Sequence, residues 1–382
     1  MRLRLRPALA CDRHAAFRVA ASRALLIFAA LILILANSDH AAAQCGGPPI
    51  AGPPLPCPQP SASVNGSGFA SAQGGLFDIG TQFQTRLGAH TSYRDGTSAG
   101  NNPQGGGAES AFDRYRTWFE GYGSSTTTDA QGQFLGDRRK TYGGIAGAGV
   151  TVTPGVTFGA SVDGSRTNID VPGATGRIDL TQLGLIGNFE HGPWNLGVTG
   201  IYGFGNVHSS RFDTGGISSA AYQARLWGTM AELSYYVALP NNSRFVPKLT
   251  ADWLHTRTDS FTETGGANPI SGSSVSASRI RMMVGGEIGH SWLVDRTIFD
   301  VSVYARLVEN LSQNIGDLAI SDPNVNGVQF VTGVRESSMG ADAGASFSVK
   351  LSQLARLYAA YDGRFRGNLT SHSGTIGAEF RF

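Results

Sequence analysis

Twelve segments of this chain alternate apolar and polar residues with a period of two, and no other feature limits the possible folds as tightly. Val156, Phe158, Ala160 and Val162 alternate with Thr157, Gly159, Ser161 and Asp163. Trp194, Leu196, Val198, Tyr202 and Phe204 share one face, opposite Asn195, Thr199 and Gly205. The last segment is the cleanest, with His372, Gly374, Ile376, Ala378, Phe380 and Phe382 against Ser371, Ser373, Thr375, Glu379 and Arg381. Successive side chains of a strand point to opposite faces, so each segment reads as a strand with one apolar and one polar face. The segments fall near 116–123, 141–152, 156–167, 177–190, 194–207, 222–238, 243–255, 279–293, 297–309, 335–350, 355–365 and 371–382.

A soluble β-sandwich alternates too, but three features point elsewhere. The segments are longer than the five or six residues usual in globular sheets, and tilted strands crossing a bilayer need roughly 9–11. The connections alternate in length. Thr153-Pro154-Gly155, His191-Gly192-Pro193, Pro240-Asn241-Asn242, Asp295-Arg296 and Ser352-Gln353 are tight turns, while Ser124–Lys140, Asn168–Gly176, His208–Ala221, Thr256–Ser278 and Asn310–Val334 are long polar loops. Short turns on one side and long loops on the other are the rule for outer-membrane barrels, and an even strand number brings both ends to the turn side. Third, Glu232, Lys248, Asp252, Arg279, Arg281, Glu287, Asp300, Arg306, Asp342, Asp362, Arg364, Glu379 and Arg381 lie opposite apolar neighbours. In a lumen these charges pair with one another and with water, whereas facing lipid each Arg or Lys would cost about 2–4 kcal/mol. Closure also removes the unpaired backbone edges that lipid cannot satisfy. The expected fold is all-β, a twelve-stranded antiparallel transmembrane β-barrel over residues 113–382. The 52 Gly residues among 382 fit strands that curve and pack closely, and they follow no collagen repeat.

Upstream, residues 1–43 read as an export signal. Arg2, Arg4, Arg6, Arg13, Arg18 and Arg23 form a basic region, Ala24 to Ala36 an apolar run, and Ala41-Ala42-Ala43 a small-residue cleavage pattern. The apolar run falls short of the ~20 residues that span a membrane. Residues 44–74 are rich in Pro and Gly and hold Cys45 and Cys57. An oxidising compartment permits a disulfide between them, and a stapled loop without chemistry is the expected arrangement. Within 75–95, Leu76, Ile79, Phe83 and Leu87 recur at spacings of three and four, the mark of one helix face, and Arg86 and Arg94 bias the helix end positively. A helix this short needs something to pack against. Residues 96–112 read as a second linker.

The combination resembles the autotransporter β-domain, the translocator of type V secretion, over residues 75–382. It is carried by the export signal, the amphipathic helix, the opening strand Thr117-Trp118-Phe119-Glu120-Gly121-Tyr122-Gly123, the strand count and the terminal Phe382. The resemblance implies a helix threading the barrel lumen behind a passenger delivered to the cell surface. It further implies that the last strand, through Gly374, Ile376, Ala378, Phe380 and Phe382, is the insertion signal read by the barrel-assembly machinery. Between the cleavage site and the helix lie too few residues for a passenger domain. Either the passenger has shrunk to a tip closed by cysteines, or the barrel works through its loops.

Catalytic chemistry is not expected. His191, His208, His255, His290 and His372 are scattered without zinc or triad spacing. Asn101-Asn102 invites comparison with passenger self-cleavage, but it follows the helix and precedes Pro103, so a linker is the expected role. A formal charge of +2 offers no field for nucleic acid. The expected partners are outer-membrane lipid and, during biogenesis, periplasmic chaperones and the assembly machinery, with the mature protein monomeric. No cofactor and no metal are expected. A small porin and a loop-based adhesin remain the alternative functions.

Overall fold

A computed structural model describes residues 63–91, 114–213, 215–294, 297–323, 327–352 and 354–382. The export signal, Cys45, Cys57, Arg94 and Asn101-Asn102 lie outside the described residues. Among the described residues one helix, α1 (Ser63–Thr91), precedes twelve long strands. These are β1 (Tyr115–Thr128), β2 (Asp137–Thr153), β3 (Val156–Val171), β4 (Ala174–His191), β5 (Trp194–Asp213), β6 (Gly216–Tyr235), β7 (Ser243–Thr258), β8 (Val275–Val294), β9 (Thr297–Ile315), β10 (Met339–Lys350), β11 (Ala355–Arg366) and β12 (Leu369–Arg381). Each pairs antiparallel with its neighbours in sequence, and β12 returns to β1 in a ladder running from Arg116↔Arg381 to Thr128↔Leu369. The sheet is thereby a closed barrel without a free edge.

Tight turns gather at the end where Tyr115 and Phe382 meet, hereafter the turn side. There Asn241 and Asn242 take φ of 58° and 55°, a left-handed conformation that asparagine tolerates in a tight connection. The opposite, loop side differs from the sequence expectation. Strands β5, β6 and β8 reach 20 residues, and most of Asn168–Gly176 and His208–Ala221 is strand rather than loop. The reason lies in the inward faces of these extensions: Ile169, Val171 and Ala220 are buried there and pack in the core around the helix. Two of the three remaining loops, Thr256–Ser278 and Asn310–Val334, build a small sheet of their own, ordered Val328–Thr332, Asp317–Ser321, Ser271–Gly272, Phe261–Thr262.

The faces divide as alternation requires. Outward stand Phe158, Leu185, Trp194, Phe204, Ile288, Phe347 and Ile376, all exposed. Inward stand Asp163, Asp252, Arg281, Asp342, Arg364 and Glu379, all buried. Burying ionised groups and exposing aromatic ones is the inverse of a water-soluble sheet, and it matches a wall with hydrocarbon outside and pairing partners inside.

The helix begins twelve positions earlier than its apolar period suggests, at Ser63 rather than near 75. The added turns are rich in Gly and Ser, weak helix formers, which argues against an autonomous helix. Enclosure overrides propensity. Gly66 lies against Val331, and a Cβ on Gly80 would stand 2.9 Å from Leu254 Cδ2, so larger side chains would not fit beside the wall.

Candidate functional site in the barrel lumen

Among the described side chains of α1, only Ala89 is exposed, although the helix is amphipathic in sequence. Leu76, Ile79, Phe83 and Leu87 are at most 1% exposed and make the apolar face. Phe83 and Leu87 lie over Gly184 of β4, whose missing side chain makes room for them. A second stripe, polar and absent from the sequence expectation, runs along the same helix. Asp78, Gln82, Arg86 and His90 recur at intervals of four, which places them on one helix face.

This polar stripe meets the seam where β1 and β12 close the barrel, and its upper end also reaches β2 and β11. Asp78 pairs with Arg139 of β2 at 3.0 Å and with Arg364 of β11 at 2.7 Å. Gln82 donates to Ser124 of β1 at 2.8 Å. Arg86 donates to Thr375 of β12 at 3.2 Å and lies 3.6 Å above the Tyr122 ring centroid. His90 stands 2.8 Å from Glu120 and stacks on Trp118 at 4.4 Å. From the other side, Arg279 of β8 donates to Thr81 at 2.6 Å, and Gln84 donates to the Trp253 carbonyl of β7 at 3.3 Å. Bonds to β1, β2, β7, β8, β11 and β12 place the helix inside the lumen.

The helix runs with its N-terminus toward the loop side. Ser67 Oγ accepts from the Leu135 amide in the β1–β2 loop at 3.2 Å, and Phe69 stacks on Phe261 of the loop sheet at 4.0 Å. At the other end Arg116 Nη2 donates to the His90 carbonyl at 2.6 Å, and Asn195 Nδ2 to the Thr91 carbonyl at 3.4 Å. The cation that complements the C-terminal end of the helix dipole therefore comes from the wall. Arg86, expected to serve there, is committed to the seam.

The lumen is filled unevenly. On the loop side, a void of about 20 Å³ remains beside Phe77, Arg139 and Arg279. On the turn side, a cavity of about 230 Å³ runs between α1 and the wall, bordered by Glu120, Met230, Glu232, Lys248, Glu287, Arg306 and Tyr358. Its charges are paired: Lys248 with Glu287 at 2.9 Å, Arg244 with Asp300 at 2.6 Å, Arg306 with Asp342 at 3.1 Å. Beside them Asp252 binds Arg281 at 2.5 Å. Across the mouth, Glu336 of the segment before β10 is caged by arginines and pairs with Arg279. Burial opposes its ionisation, but the guanidinium groups of Arg279, Arg281, Arg366 and Arg364 outweigh that and hold its carboxyl down at about 2.

The remaining expected site residues lie elsewhere. Gly374, Ile376, Ala378 and Phe380 sit on the outward side of β12, with Phe382 exposed just beyond its end and the strand paired along both edges. His255 and His290 stand against Trp227 and Trp292 respectively, and His372 against Tyr361, rather than in the lumen.

The family profile described as the autotransporter beta-domain matches residues 117–362. The fold is similar to the translocator domain of the autotransporter NalP from Neisseria meningitidis, with TM-score 0.64 and 16% identity, covering 83% of this chain and 99% of that one. It is also similar to the beta domain of the Bordetella autotransporter BrkA, with TM-score 0.52 and 17% identity, covering 71% of this chain and 100% of that one. No curated protein sequence matches the chain significantly.

Proposed function

Because the chain belongs to the autotransporter β-domain family and is an outer-membrane barrel translocator by fold, we propose that it displays its own short N-terminal segment on the cell surface and keeps it there. The direction of α1 carries this reading. Its N-terminus opens among the long loops, so the segment ahead of Ser63 joins the chain at the loop-side mouth, while its C-terminus connects to β1 at the turn side. With short turns facing the periplasm, that orientation is the one left by an N-terminal segment that has passed outward through the pore.

The bonding along α1 supports retention. A helix tied to six strands, with ionised side chains matched to buried partners, is a plug rather than a transient occupant. The role is non-enzymatic on this reading, and residues 1–43 direct export. Outer-membrane lipid is the resident surrounding, with periplasmic chaperones and the barrel-assembly machinery as partners during biogenesis. The machinery must read β12 before closure, since strand addition requires a free edge and both edges of β12 are occupied in the finished barrel. The assembled protein works as a monomer.

The test is to reduce intact cells and label them with a membrane-impermeant maleimide. Cys45 and Cys57 should react without permeabilisation. Reaction only after the outer membrane is opened would place the segment inside and overturn display. A small passive channel is the second reading, favoured by the turn-side cavity, and it requires that the packing around Leu76, Ile79 and Leu254 part to let solute through.

A further inference from the structure

The outward rim of the barrel holds an arrangement that the lumen does not explain. Arg225 of β6 and Arg257 of β7 stand directly opposite each other in the ladder, both exposed. Like charges so placed are destabilising. Elsewhere on the rim the arginines are neutralised: Arg166 pairs with Asp179 at 2.5 Å, and Arg177 with the same carboxylate at 2.9 Å. Among the described residues neither Arg225 nor Arg257 forms an ion pair within 4.0 Å. Among those residues Arg225 reaches only Gln223 Oε1, at 3.4 Å, and Asp259, two positions beyond Arg257, bonds Gln223 through its backbone amide.

Directly below, toward the apolar band, Trp227 pairs across the ladder with His255, their rings 4.4 Å apart. Trp253 lies 6.4 Å from the same imidazole. The patch therefore has two tiers, a doubled positive charge above and aromatic rings beneath, at the level where an aromatic girdle meets the outer leaflet.

We propose that Arg225 and Arg257 bind the phosphate of an outer-leaflet lipid headgroup, whose acyl chains lie along Trp227 and Trp253. Guanidinium forks match phosphate oxygens in bidentate geometry, and a bridging dianion turns the repulsion between the two arginines into a shared attraction. The proposal rests on the outer-membrane placement of the barrel and is independent of whether the N-terminal segment is displayed.

The experiment uses the full mature protein in a phosphate-free maltoside detergent, with bound lipid counted by native mass spectrometry. The probes are bisphosphorylated lipid A, the same glycolipid without phosphates, and inorganic phosphate. The phosphorylated lipid should bind about tenfold more tightly than the dephosphorylated one, and millimolar inorganic phosphate should fail to displace it. Arg225→Gln with Arg257→Gln should remove that difference, whereas Arg177→Gln should leave it intact. In lipid-free detergent the double variant should melt no lower than the parent, because repulsion has been relieved. Equal binding of the two lipid forms, or an unchanged preference in the double variant, would overturn the proposal. Full displacement by inorganic phosphate would also overturn it, in favour of a free-phosphate site. Should the double variant not assemble, the comparison of lipid forms on the parent decides by itself.

Discussion

The two halves of the lumen are built from one helix and one wall, yet they hold the helix differently. On the loop side, Phe69, Leu76 and Ile79 are packed to near-crystalline contact, and the ionised groups around Asp78 have little room for water. On the turn side, Arg86 and His90 reach the seam across from a cavity of about 230 Å³. The contrast teaches that the plug is anchored at its loop-side end and only latched at its turn-side end. A group buried without solvent must keep its partner or lose heavily, whereas beside a cavity water can replace a lost partner.

Removing residues 63–91 should have the largest effect, since the lumen then loses its filling and retains a charged, water-accepting wall. Single-channel conductance in planar bilayers should rise from closed to steadily open, and unchanged conductance would mean that the helix is not what closes the pore. Next come the anchored contacts. Asp78→Ala leaves Arg139 and Arg364 without their shared carboxylate, at about 3–5 kcal/mol for a broken buried pair, and Leu76→Ala should cost about 2–5 kcal/mol. Both should lower the temperature at which the compact form is lost on unheated-versus-boiled gels.

Arg86→Ala measures the latch. It removes one hydrogen bond and one ring contact, about 1–2 kcal/mol together, so its gel transition should move less than that of Asp78→Ala. Equal shifts for the two variants would erase the distinction between the halves. The smallest effect belongs to pH. The folded Glu336 carboxyl, at about 2, lies below its ordinary unfolded value, so its contribution is complete above about pH 4.5 and is lost as pH falls toward 2. Melting should decline over that window in the parent and change less in Glu336→Gln.

Much of this was readable in the chain. Period-two alternation requires strands with two unlike faces, and ionised residues on one of them exclude hydrocarbon there. That leaves a closed wall with lumen and lipid sides, down to the outward placement of Phe380 and Phe382. The four-residue spacing of Asp78, Gln82, Arg86 and His90 is equally visible but does not by itself point to the lumen, because a polar stripe on a helix ordinarily faces water. The Ser63 start was not visible at all, since Gly66 and Gly74 argue against a helix until a wall surrounds them. Nor was the loop sheet, whose two-residue strands Phe261–Thr262 and Ser271–Gly272 are too short to show a period.

By itself the sequence determined the barrel, its strand number and the chemistry of its faces, because these follow from local periodicity and from the cost of charge in lipid. Only the tertiary structure decided which groups meet. Asp78 finds Arg364 across 286 positions of chain, and Arg225 faces Arg257 because two strands share one register. Such pairings depend on closure and stagger of the whole sheet, quantities that no local pattern encodes.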